Sequence, residues 1–126
     1  MPLVTITQVK GRTAEQKKQI GDAIQAALVE TGVPMADRFQ RFIDLPSEDF
    51  IFDTNYPDLS KPRTAQFTVI EILLSVGRSV KVKKKILGSL VAQLKTVGIE
   101  PNDVFVVFKE TSWENWAFAG GEILHA

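Results

Sequence analysis

Residues 67–79 read FTVIEILLSVGRS, from Phe67 to Ser79, and the pattern they set is met twice in the chain. From Phe67 to Leu74 the density of apolar and β-branched residues is the highest in the sequence, which predicts a central strand buried on both faces. Gly77 ends that strand. Ser79 then caps a helix whose apolar stripe is Val82, Ile86, Leu90, Val91 and Leu94, and Gly98 stops it. A constant shift of 66 positions recovers these features in the first half without a gap. Gly77-Arg78-Ser79 falls on Gly11-Arg12-Thr13, Ile72 on Ile6, Lys83-Lys84 on Lys17-Lys18, and Ile86 on Ile20. Leu94 falls likewise on Leu28, Gly98 on Gly32, Asp103 on Asp37, Phe105 on Phe39, and Phe108 on Phe42. Each unit is therefore strand, Gly-Arg-(Thr/Ser), helix, Gly, Asp, strand. Strands joined through a helix run parallel with a right-handed crossover. The expected fold class is α+β, with a duplicated βαβ unit forming a four-stranded mixed sheet and two helices on one face.

Within the first unit, Leu3 to Val9 alternates as a strand, with Leu3, Thr5 and Thr7 against Val4, Ile6 and Gln8. Thr13 and Gln16 have capping-box spacing, and Ile20, Ala23, Ile24, Ala27 and Leu28 recur at helical intervals up to Gly32. Arg38 to Leu45 reads as the second strand and Asp103 to Lys109 as the fourth. Between the units, residues 46–64 carry Pro46, Pro57 and Pro62 and read as a long loop, with Phe50-Ile51-Phe52 as a short strand inside it. The expected organisation is a single domain over 1–126, with repeats at about 2–45 and 66–109 and a C-terminal tail. Helices on one face leave the other face of the sheet apolar and open, which predicts a closed symmetric homo-oligomer.

Composition narrows the chemistry. The chain has 126 residues, 44% of them apolar, enough for a core without disulfides or a structural metal. Fifteen basic residues balance fifteen acidic ones, so neither nucleic acid nor an anionic membrane is an expected partner. Cysteine is absent and the one histidine is His125. A thiolate site, a cysteine nucleophile and a histidine-based metal site or triad are thereby disfavoured, and no metal or cofactor is expected. The N-terminus lacks a basic region followed by an apolar run, and the expected location is cytoplasmic.

The start Met1-Pro2, taken with the repeated strand-Gly-Arg-(Ser/Thr)-helix, resembles the tautomerase superfamily, whose units are βαβ (tautomerase/MIF-like) and whose catalytic group is an N-terminal proline. The duplicated length resembles its malonate semialdehyde decarboxylase branch. So do Gly32-Val33-Pro34-Met35-Ala36-Asp37-Arg38-Phe39-Gln40 and Asn115-Trp116-Ala117-Phe118-Ala119-Gly120-Gly121. Together these segments span nearly the whole chain. The resemblance implies a homotrimer and a cofactor-independent enzyme acting on a small oxo acid.

Removal of Met1 gives Pro2 a free secondary amine, and an α-amino group titrates at about 7.7–8.0 when unperturbed. Apolar surroundings or a cation lower that value, and a carboxylate raises it. Depressed, Pro2 is a base for keto-enol tautomerisation; raised, it stays protonated and serves hydration or decarboxylation. By resemblance, Asp37 orients or activates water, Arg78 holds a substrate carboxylate, and Trp116 and Phe118 form an apolar wall. The branch has a second arginine where this chain has Val76, which removes one carboxylate contact. Tyr56 is a further candidate acid, Arg12 repeats Arg78, and Lys81 to Lys85 read as a solvated helix face. The competing reading is a non-catalytic oligomeric binding or signalling module that keeps the fold.

Overall fold

Thr13 and Ser79 begin the two helices by the same device. Each side-chain oxygen accepts a hydrogen bond from the backbone three residues on, Gln16 N at 3.1 Å and Val82 N at 3.2 Å. Gln16 returns the bond to Thr13 N at 2.8 Å and completes a capping box. The structure is a computed structural model and describes residues 2–124. Met1 and His125, on which the expectations of N-terminal processing and of the lone imidazole fall, lie outside those residues.

Strand β1 spans Leu3–Val9, helix α1 Ala14–Glu30 and strand β2 Phe39–Leu45. The second unit follows as β3 at Thr68–Ser75, α2 at Val80–Thr96 and β4 at Val104–Thr111. Gly32 and Gly98 stand just past the helix ends with φ of 103° and 95°, a region that glycine enters without steric cost. The sheet order is β2-β1-β3-β4, with β1 parallel to β2, β3 parallel to β4, and β1 antiparallel to β3. The central register is itself twofold. Val4 faces Ile72 and Ile6 faces Ile70, and the shift of 66 exchanges these two pairs.

Both helices pack on the face that carries Val4, Ile6, Ile70, Ile72 and Leu74. Ile20, Ile24 and Leu28 of α1 and Ile86, Leu90 and Leu94 of α2 close the core. Full burial of each such side chain contributes about 1.5–3 kcal/mol. Ion pairs follow the duplication too: Lys17 binds Asp44, and its counterpart Lys83 binds Glu110.

Two expectations need correction. β3 is not buried on both faces; its burial alternates, and Val69, Glu71 and Leu73 are only partly covered. Among the described residues no helix lies over them, since both helices pack on the opposite face. Their neighbours on that face include Phe39 at 53% and Phe105 at 44% exposure, with Ile43 and Val107 also exposed. Phe50-Ile51-Phe52 is not a strand: a 3-10 turn at Ser47–Asp49 precedes it, and Phe50 and Phe52 pack edge-on with ring centroids 5.4 Å apart. Ring packing, rather than strand pairing, occupies this segment. Among the described residues no helix is long and apolar enough to cross a membrane.

Candidate active site

The antiparallel pairing of β1 with β3 brings the start of the chain beside the end of β3, and the parallel pairing with β2 brings it beside the start of β2. Leu3 accordingly faces both Leu73 and Phe39. Pro2, one residue earlier, is buried at this end of the sheet. The turn before β2 supplies Asp37, only 8% exposed. Backbone bonds from Asp37 N to Pro34 O and from Arg38 N to Ala36 O, each 3.0 Å, shape that turn. Gln25 of α1 then fixes it, its amide donating to Asp37 O at 3.1 Å and to Met35 O at 3.3 Å. Gln25 went unmarked in the sequence because a glutamine beside Ile24 and Leu28 reads as the edge of the apolar stripe; it is 5% exposed, and its polar end holds the carboxylate-bearing turn.

β4 runs parallel to β3 and delivers the tail to the same end. A 3-10 turn at Trp113–Asn115, secured by Asn115 Nδ2 donating to Thr111 Oγ1 at 2.6 Å, reverses the chain. Trp116 and Phe118 emerge stacked, with ring centroids 5.8 Å apart and planes 19° from parallel. The result is a cavity of about 200 Å³ lined by Pro2, Leu3, Asp37, Phe39, Trp116, Ala117 and Phe118. Trp116 Nε1 is buried, with no hydrogen-bond partner among the described residues. A buried donor left without a protein acceptor is costly and is commonly satisfied by ligand or water.

Four of the five sequence candidates, Pro2, Asp37, Trp116 and Phe118, thus meet in one cavity, to which Leu3, Phe39 and Ala117 are added. Arg78 does not line it. This residue follows β3 at the same end of the sheet, and its Nη1 reaches only Ser75 O at 3.5 Å. Val76 is exposed beside it. Tyr56 is 73% exposed and lines a different cavity. Arg12 is the counterpart of Arg78 in sequence and not in surroundings: Nη2 donates to Gln66 O and Thr68 Oγ1, each at 3.0 Å, and Nη1 donates to Gln8 Oε1. Burial lowers its pKa, and the charges of Asp103 and Asp44 act against that shift. Lys81, Lys84 and Lys85 are solvent-exposed, whereas Lys83, read as part of the same solvated face, is half-buried and pairs with Glu110. Among the described residues no group of three or more His, Cys, Asp or Glu is placed to hold a metal ion.

A tautomerase-enzyme family model matches residues 37–119, and a second one matches residues 2–58. The chain belongs to the tautomerase family. It is an enzyme of that family. The probable tautomerase YusQ of Bacillus subtilis (strain 168) is 27% identical over 123 residues, covering 96% of this chain and 95% of that protein. A malonate semialdehyde decarboxylase inhibited by 3-bromopropiolate superposes with a TM-score of 0.89 at 28% identity, over 96% of this chain and 92% of the other. Fused 4-OT, described as a symmetric trimer, shares the fold with a TM-score of 0.77 at 21% identity, over 96% and 94%.

Proposed function

We propose that this tautomerase-family chain is a cofactor-independent enzyme in which the Pro2 amine acts as a proton donor on a small 3-oxo acid, in hydration or decarboxylation. The observation that carries the reading is the placement of Pro2 and Asp37, both buried, on the lining of one cavity. A carboxylate beside an amine favours its charged form, and the apolar Leu3, Phe39, Trp116 and Phe118 around the pair strengthen that attraction. The prolinium N–H then polarises the substrate carbonyl. In decarboxylation the electrons of the breaking carbon–carbon bond move into an enol as carbon dioxide leaves, and Pro2 supplies the proton to the carbonyl oxygen. In hydration Asp37 takes a proton from the attacking water. The Trp116 indole N–H gives a substrate oxygen a further donor.

A cavity of about 200 Å³ suits an acid of a few heavy atoms. Arg78 is the cation for its carboxylate, at the same sheet end and outside the cavity walls formed by one chain. A homotrimer supports this role, because a second copy seated on the open sheet face would close the site. The exposed Phe39, Ile43, Phe105 and Val107 favour such an assembly, as does the trimeric description of fused 4-OT at the level of fold.

Keto-enol tautomerisation is the second reading, favoured by the apolar lining, which lowers an amine pKa and makes it a base. Assays of malonate semialdehyde and of phenylpyruvate, run side by side on wild type and Pro2→Ala, test both. Proton-donor chemistry predicts Pro2-dependent turnover of the first. Turnover of phenylpyruvate alone overturns it in favour of tautomerisation, and turnover of either substrate undiminished in Pro2→Ala removes Pro2 from the chemistry.

A further inference from the structure

The duplication reaches further than the two βαβ units. The 3-10 turn Ser47–Asp49 lies 66 positions before Trp113–Asn115, and Phe50 and Phe52 stand at the positions of Trp116 and Phe118. In the sheet, Val69 stands at the position of Leu3 and Phe105 at that of Phe39. Accordingly the opposite end of the sheet carries a second cavity, of about 340 Å³, lined in part by Phe50, Phe52, Phe67, Val69 and Phe105. Its aromatic walls are in contact: Phe52 and Phe67 have centroids 4.3 Å apart, and Phe67 and Phe105 lie 6.1 Å apart at 82°.

The counterparts of Pro2 and Asp37 are engaged differently at this end. The position of Pro2 is taken by Thr68, which is fully buried within the chain and donates its hydroxyl to Gln66 O at 2.8 Å. The position of Asp37 is taken by Asp103, whose two oxygens accept Thr64 N at 2.7 Å and Thr64 Oγ1 at 2.6 Å. What this cavity has instead is a positioned cation. Arg63 donates Nη1 to Asp53 O at 2.8 Å and to Tyr56 O at 2.6 Å, and its guanidinium lies 5.3 Å from the Phe67 ring centroid. Those bonds and the ring fix the group in place, and the Asp53 carboxylate, on the same lining, feels its charge. Asp53 accepts hydrogen bonds from the backbone N–H groups of Asn55 and Tyr56, which together with the nearby charge of Arg63 hold its carboxyl below the ordinary range.

We infer that this second cavity is a binding site for a small carboxylic acid with a flat apolar body. The ring sits against Phe52 and Phe105, and the carboxylate meets the free edge of Arg63. Charge complementarity selects an acid over a neutral aromatic, and the Phe walls select a planar body over an aliphatic one. The site stands independently of the Pro2 chemistry.

NMR titration of the full-length protein with 4-fluorophenylacetate, which has no ketone to enolise, tests this. Saturable shifts are expected at the Tyr56 and Phe105 amides, fitting a dissociation constant separate from any at the Trp116 indole. Arg63→Gln is expected to weaken the Tyr56 and Phe105 response by about tenfold or more, the value of a charge-assisted pair. The neutral amide of the same probe is expected to show that loss in unaltered protein, so the outcome does not hang on the variant's folding. Absence of shifts at Tyr56 and Phe105, as when a second copy of the chain fills the cavity, overturns the inference. Equal affinity for the acid and its amide overturns it as well.

Discussion

At one end of the sheet the chain begins, and at the other it passes straight through. The two ends share a Gly-Arg turn, an aspartate before the outer strand, a 3-10 turn after it and a pair of aromatic side chains beyond. They differ in what the equivalent residues touch. Asp37 lines a cavity with Pro2, whereas Asp103 is bound by Thr64 and ties the interrepeat loop to the start of β4. Arg12 is locked among Gln8, Gln66 and Thr68, whereas Arg78 holds one long contact to Ser75 O. Duplication supplies the walls twice, and the proposed chemistry uses an amine at only one of them, that of Pro2. Fold symmetry therefore does not carry functional symmetry.

The sharpest way to break this contrast is at the paired positions Pro2 and Thr68. Pro2→Ala is expected to lower kcat by about 10²–10⁴, the usual weight of a positioned acid or base. Thr68→Val should leave kcat near wild type, as steady-state assays of both variants would show. Next in size is the aspartate pair. Asp103→Asn is expected to cost about 1–3 kcal/mol in urea unfolding, because the buried Asp103 carboxylate is the charged acceptor of two Thr64 donors, with little change in kcat. For Asp37→Asn the pattern reverses, with kcat falling about tenfold or more and a smaller stability change.

The arginines sharpen the comparison further. Arg12→Ala should lower stability by about 1–2 kcal/mol, since it leaves Gln8, Gln66 and Thr68 acceptors unfilled. Arg78→Ala should instead raise KM for a carboxylate substrate and leave the unfolding midpoint nearly unchanged. The smallest effect concerns Asp44. Its carboxyl is held below the ordinary range by hydrogen bonds from Lys17 and then Gln8. A depressed carboxylate stabilises the fold above its unfolded pKa of about 3.9 and loses that contribution as pH falls through the folded value. Asp44→Asn should thus be less stable than wild type at neutral pH, and the two should converge in acid, as parallel denaturation curves from pH 7 downward would reveal.

Much of the fold was legible because local signals agreed with one another: Thr13 with Gln16, Ser79, Gly32 and Gly98 punctuate the chain at the same places in both units, and the shift of 66 made each reading support the other. Burial of β3 was misread for a physical reason. Continuous apolar residues signal burial by something, and the sequence does not say whether that is a helix of the same chain or another copy. Phe50 to Phe52 misled similarly, since apolar periodicity in a three-residue stretch does not separate a strand from a ring cluster. In the candidate site, Pro2, Asp37, Trp116 and Phe118 came together as the sequence suggested. Gln25 did not show itself, because its role depends on a turn nine or more residues away, and Arg78 lies outside the cavity, its Nη1 reaching Ser75 O.

The most direct test of the proton-donor account is an NMR pH titration of the Pro2 nitrogen in proline-labelled protein whose intact mass confirms loss of Met1. The account predicts a pKa above the ordinary α-amino range of about 7.7–8.0, returning toward that range in Asp37→Asn. A value well below the range, or one that Asp37→Asn leaves unmoved, would contradict it.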